Sequence, residues 1–503
     1  MRSRFVTLGI LLTAFAACGG GDGGGTSGGP ASIGTLAYVV TECRVNTDDP
    51  TFRSRLEVRQ GDAEPITVRE IPATLETEEI SVLRGLCPIF GAVRYGTNSV
   101  VGSAFQRLGV SPDGSRVVFE VTDDFSLLSQ NQVAPDHEGI HVVRSDGSGL
   151  QRLGPASREP TFRFSDTETC ALSNSTQAPV FHFSPSGRRI AYVDHGPDHA
   201  GEDAVQIVTL NLDTGERTQV THLPPQTPDP CLPYLLAGPP VFLDEETIGY
   251  ATAAGPAGSV AYTVKADGQT EPVLLPPAVP LPGAVVVPGF SITGSTQAVY
   301  TLRVAGTPGT PDEVDELFLS DGENLLQLTN FGRGDTAIEG GVLSRNRRRV
   351  LFTASDNTQP RSPLSPYASN PYNNCQFFSV DTLGGDLRQL TNFDEGQPSE
   401  GGCSSLQPRP FGCVVGIVGH DPDTDSIVFE SSCDPCGDNP NGEQIFTMQF
   451  DGGSRRQLTH ARGLVTEADG TVSVQLPGPF AYGGGGAVLG PSDGPCAAAA
   501  GPG

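Results

Sequence analysis

The chain has 503 residues, with 31 Lys+Arg against 58 Asp+Glu and a net charge of −27 at pH 7. That balance argues against a nucleic-acid backbone as partner, because phosphate binding needs clustered cations. So long a chain outgrows a single hydrophobic core and points to repeated units that pack mainly on their neighbours.

The first element is an export signal. Arg2 and Arg4 precede an apolar run from Phe5 to Phe15, too short to span a bilayer and of signal-peptide length. It leads into Phe15-Ala16-Ala17-Cys18, which resembles the lipobox at which bacteria lipidate and cleave. Gly19 to Gly29 then form a flexible Gly-rich tether. The resemblance implies a lipoprotein lipidated at Cys18, and Gly19 after it implies sorting to the outer membrane, facing the periplasm or the surface. The expected organisation is signal peptide 1–17, tether 18–33, a folded body 34–482 and a low-complexity tail 483–503. Of the 11 cysteines, the 10 beyond Cys18 suit disulfides in an oxidising compartment.

The body reads as short strands and turns, with no sustained helical spacing of apolar residues. Leu36 to Glu70 supplies three strands. Ser111-Pro112-Asp113-Gly114 leads into a β-branched and aromatic run, as do Ser184-Pro185-Ser186-Gly187 and Ser344-Arg345-Asn346-Arg347. A closing element recurs as LQRL (150–153), RTQVT (217–221), LLQLT (325–329), RQLT (388–391) and RQLT (456–459). With a weaker copy near Leu274, these recur about every 54–68 residues. Four short strands per period is the pattern of propeller blades.

These residues resemble the TolB-like propeller repeat, with Ser111–Phe119 the closest match. The resemblance covers roughly residues 100–460. It implies an all-β propeller, and the strand count predicts seven four-stranded blades, with six as the alternative. Thr471–Leu476 is the expected C-terminal strand that completes a blade with the N-terminal three, closing the ring. The α/β domain of TolB has no counterpart here, so the role of TolB itself is not implied.

In such a blade the first and third connections share one face, and the second connections and interblade crossings share the other. The long connections all fall on the second face. Cys43, Cys375, Cys433 and Cys436 map to second connections; Cys87, Cys170, Cys231 and Cys403 map to crossings, and Cys413 lies beside them. Disulfides there would restrain costly loops, so that face is the expected working surface.

Two motifs suggest a metal. His137-Glu138-Gly139-Ile140-His141 spells a zinc motif, but on a strand its histidines stand roughly 13 Å apart, too far to share one ion. Asp194, His195, Asp198 and His199 crowd one second connection, and Asp136, His137 and Glu138 the one in the preceding blade. Together they would suit zinc or calcium. The function expected from the residues is a monomeric, non-catalytic envelope scaffold that binds protein, peptide or glycan, reaches the membrane only through its lipid and binds no nucleic acid. A metal-dependent hydrolase or lyase on the same face is the alternative.

Overall fold

Alternation shapes the first sheet. In β2 (Thr51–Gln60), Phe52, Ser54, Leu56 and Val58 are buried while the intervening residues are half-exposed, the period-2 pattern of a strand with one inward face. It pairs antiparallel with β1 (Thr35–Val45) and β3 (Ile66–Pro72). The computed structural model describes residues 34–72, 84, 87, 104–122, 136–158, 181–225, 240–253, 259–274, 285–287, 298–304, 314–320, 324–331, 338–344, 346–354, 376–391, 415–421, 426–431, 444–453 and 455–483.

Six four-stranded antiparallel sheets follow as propeller blades. Blade 1 is β4 (Phe105–Val110), β5 (Arg116–Val121), β6 (Gly139–Arg144) and β7 (Gln151–Gly154). Blade 2 is β8 (His182–Phe183), β9 (Arg189–Pro197), β10 (Asp203–Asn211) and β11 (Arg217–Gln219). Blade 3 is β12 (Val241–Phe242), β13 (Thr247–Ala253), β14 (Ser259–Lys265) and β15 (Val273–Leu274). Blade 4 is β16 (Val285–Val287), β17 (Ala298–Val304), β18 (Val314–Ser320) and β19 (Leu325–Gln327). Blade 5 is β20 (Ile338–Leu343), β21 (Arg349–Ala354), β22 (Gln376–Asp381) and β23 (Arg388–Gln389). Blade 6 is β24 (Val415–Asp421), β25 (Ser426–Ser431), β26 (Gln444–Gln449) and β27 (Arg456–Gln457). The protein is an all-β propeller with nearly no helix among the described residues.

The last strands, β28 (Gly463–Thr466) and β29 (Val472–Gly483), return to the first sheet, whose order is β28-β29-β1-β2-β3. The pairing runs from Thr35↔Gly483 to Val45↔Val472. This mixed sheet has five strands, not the expected four. A tight turn adds the fifth: Glu467 N–H and Thr471 O face each other across it and Gly470 takes φ 88°, so residues 463–466 fold back on β29.

The core lies between sheets. Leu351 and Phe377 join a cluster with blade 6 residues Phe429 and Phe446, while Phe352 and Phe378 join one with blade 4 residues Val299 and Leu317. Successive side chains of one strand therefore face different neighbours, which explains continuous apolar runs such as VLF and QFF. The mixed sheet packs on both sides: Val39, Leu56 and Leu476 meet Phe105 and Phe119 of blade 1, and Leu36, Tyr38 and Phe480 meet Val428 and Ile445 of blade 6.

Two local devices repeat. At the Ser-Pro-Asp-Gly-type turns, Ser111, Ser184 and Ser344 each accept from the backbone three residues on, at 2.8 Å. Each serine hydroxyl also accepts from the N–H of Arg116, Arg189 or Arg349. The closing threonine is a lock. Thr221, Thr391 and Thr459 hydroxyls donate to the buried Gln206, Gln376 and Gln444 at 2.8–2.9 Å and accept the N–H of the next residue on that strand. In blade 4 the partner is Glu316. Gln219, Gln327, Gln389 and Gln457 donate to the threonine carbonyls at 2.6–2.8 Å. Thr459→Val keeps the shape but removes the hydroxyl that accepts the buried Ile445 N–H and donates to the Gln444 amide. It is expected to cost about 1–3 kcal/mol, read as a lower urea midpoint.

Candidate functional site

The strongest buried polar arrangement among the described residues joins blades 1 and 2 where second connections and crossings emerge. Arg107 on β4 and Glu120 on β5 are paired by strand register and form an ion pair, 3% and 1% exposed. Burial pushes the Glu120 carboxyl up, against the pull of Arg107. Its other oxygen accepts the N–H of Ser157, just after β7. The Ser157 hydroxyl donates to Val193 O at 2.8 Å. Arg158 N–H donates to Asp194 Oδ1 at 2.8 Å.

Asp194 is saturated. Its Oδ1 also accepts His195 N–H at 2.7 Å, and its Oδ2 pairs with Arg217 at 2.6 Å. Burial pushes the neighbouring Tyr192 phenol up to about 12. Nearer the solvent, Asp203 takes Arg158 at 2.9 Å and His195 Nδ1 at 3.2 Å, and hydrogen bonding to Arg158 leads in holding its carboxyl below the usual range.

This geometry corrects the expected loop. Asp194 to Pro197 lie on β9 and Asp203 begins β10, leaving a hairpin at 198–202. Asp198 Oδ1 accepts the N–H groups of Ala200 and Glu202, both at 2.8 Å, so it shapes a turn. His199 is exposed, 3.8 Å from Glu271 and with its ring 5.0 Å from that of His222. In blade 1, His137 sits 3.9 Å from Asp136. Glu138 contributes its backbone carbonyl to Arg152 at 2.7 Å. His141 is a core residue on β6, stacked on Phe119 at 5.1 Å, its imidazole pushed down by burial. Among the described residues no three His, Cys, Asp or Glu side chains come together as a metal centre requires. Asp198 shapes a turn, Asp194 pairs with Arg217, and the rings of His137, His195 and His199 lie 3.2–3.9 Å from a carboxylate.

Cys43 and Cys87 form a disulfide, Cα atoms 6.2 Å apart. Cys43 lies on β1 opposite Phe52, not in a connection as expected. Cys18, Cys170, Cys231, Cys375, Cys403, Cys413, Cys433 and Cys436 lie outside the described residues.

Arg107, Glu120, Ser157 and Arg217 were not singled out by the sequence. The available signal was a charged residue inside each apolar run, Arg107 in FQRLGV and Glu120 in RVVFEV. A further concave feature, about 250 Å³, opens between the mixed sheet and the end of β27, lined by Tyr38, Arg55, Glu57, Arg59, His460 and Gln475 among others. Tyr38 donates to Glu57 at 2.8 Å and Arg55 pairs with Glu57 at 3.3 Å.

On the inner strand of blade 2, His182 is half-buried, yet its Nε2 is sealed and has no hydrogen-bond partner among the described residues. Burial pushes the imidazole from 6.5 down to about 4. The folded state therefore takes up the proton less readily than the unfolded chain. Its stabilising effect is complete above pH 6.5 and is lost as pH falls toward 4. The loss is at most about 3 kcal/mol, less where water reaches the ring. Urea midpoints between pH 7 and pH 5 should fall more steeply for the native protein than for His182→Leu.

No protein-family model and no curated protein matches the chain. Solved propeller structures do. A protein from Agrobacterium tumefaciens assigned as TolB is 13% identical, with 88% of this chain and 99% of that one covered and a TM-score of 0.31. An oligogalacturonate lyase in complex with manganese is 11% identical, with 83% and 97% covered and a TM-score of 0.44. A prolyl endopeptidase is 11% identical, with 88% of this chain covered and a TM-score of 0.43; the chain spans 54% of its length. At these identities the likeness is one of fold alone.

Proposed function

We propose that the protein is a lipid-anchored, non-catalytic binding scaffold of the bacterial cell envelope, held at the outer membrane through Cys18. Its ring counts seven blades, the mixed sheet being the seventh. Its working surface is the face where second connections and crossings emerge, and its ligand is a protein, peptide or glycan. One observation carries this reading: the ends of β1, β5 and β9 on that face are fixed by the Cys43–Cys87 bond and by the Glu120–Ser157–Asp194–Arg217 network. Ordering a surface in advance removes much of the entropy cost of binding.

Arg158 and His195 stand at the solvent edge of that network. The mature chain, purified oxidised, is expected to bind selectively on glycan or peptide arrays, and Arg158→Ala with His195→Ala to weaken that binding about tenfold without changing circular dichroism. Selective binding that the pair leaves unaltered would move the site elsewhere. Stoichiometric zinc or calcium in elemental analysis, lost in His195→Ala/His199→Ala, would favour the hydrolase or lyase reading.

A further inference from the structure

On the opposite face, the three Ser-type turns differ at the position that takes a positive φ. Gly114 and Gly187 adopt φ 70° and 69°, where glycine is at ease. In blade 5 the same position is Arg347, at φ 55° with the same 2.8 Å bond from its N–H to the turn serine. A side chain is carried where the sister turns carry none, against the local backbone preference. Such an outlier points toward function.

The surroundings give that side chain company. Arg347 and Arg348 are both exposed, and neither makes an ion pair among the described residues. The turn between β22 and β23 rests on them: Thr382 N–H donates to Arg348 O at 2.9 Å and its hydroxyl to Arg347 O at 3.1 Å. That turn projects Leu383, 83% exposed, with Leu387 40% exposed beside it. The nearby carboxylates are already engaged. Asp386 pairs with Arg349 at 2.8 Å and Arg388 at 2.7 Å, and Asp381 Oδ1 accepts Leu383 N–H at 2.8 Å. Asp451 adds a more distant negative charge toward Arg388. The four arginines outnumber these three aspartates, in a protein where acids outnumber bases 58 to 31.

We infer that the paired turns 346–349 and 381–387 of blade 5 are a docking surface for an acidic segment of a partner protein that carries an apolar side chain. Arg347 and Arg348 meet its carboxylates and Leu383 its apolar group. Charge complementarity selects this occupant, because the patch carries more arginines than aspartates in a chain of net charge −27. The surface is separate from the face proposed above and stands or falls independently of it.

The probe is a fluorescein-labelled peptide of alternating glutamate and leucine, titrated into the full mature chain by anisotropy, with an alternating lysine–leucine peptide as control. Saturable, salt-sensitive binding of the acidic peptide is expected, weakened about tenfold in Arg348→Glu and in Leu383→Ser. Arg347→Gly separates docking from structure: it should raise the urea midpoint, because glycine tolerates the turn, while weakening the peptide. The inference is overturned if no saturable binding occurs, if the lysine peptide binds equally well, or if the three variants bind like the native protein. It is also overturned if phosphatidylglycerol vesicles are bound through these residues and the peptide is not.

Discussion

Glu120→Ala is expected to destabilise the protein by about 3–5 kcal/mol, the cost of removing one member of a buried ion pair. The residue sits at 1% exposure with Arg107 at 3%, so little water can replace the lost carboxylate beside the guanidinium. The same change removes the acceptor for Ser157 N–H and loosens the crossing between blades 1 and 2. Urea midpoints of the oxidised mature chain measure the effect. The pair need not be a net source of stability. Replacing both members, as Arg107→Met with Glu120→Leu, should recover much of the loss, since apolar groups of similar size often match a buried pair. A double-mutant cycle with a large coupling energy is therefore expected, and additive losses would contradict the pairing.

Phe429→Ala is expected to cost about 3–5 kcal/mol for a different reason, the cavity it leaves. Phe429 is fully buried on β25, its ring centroid 4.7 Å from Phe377 of blade 5 and 5.6 Å from Phe446 of its own blade. It therefore holds one blade to the next, and its loss should lower the urea midpoint far more than Leu383→Ser on the exposed turn of blade 5. An effect near zero would mean that blades 5 and 6 do not share this cluster.

Much of the architecture was legible because it is written locally. The Ser-Pro-Asp-Gly turn at Ser111 announces itself through residues whose hydrogen bonds close within five positions. The closing Gln-Leu-Thr was legible as a period, and the structure supplies its reason in the lock between Thr459 and Gln444. The return of the C-terminus to the first sheet followed from a strand lacking a partner. What stayed hidden depends on contacts between different strands, within a blade or across two. Asp194 and His195 read as loop because polar residues at a strand end look like a turn, yet they lie on β9, where Arg217 and Arg158, 23 and 36 residues away from Asp194, hydrogen-bond its carboxylate. Glu120 looked like an ordinary strand residue because its partner Arg107 lies on the next strand, not on its own. The fifth strand of the mixed sheet was missed because Gly463–Thr466 is only four residues long.

The central claim is an exported, lipid-anchored propeller with an ordered working face, and one measurement tests it most directly: mass spectrometry of the alkylated, unreduced protein recovered from its native membrane fraction. The expected result is a chain beginning at a lipid-modified Cys18, with the Cys43 and Cys87 peptides covalently joined. A soluble chain still carrying Met1–Ala17, with both thiols free to be alkylated, would contradict it.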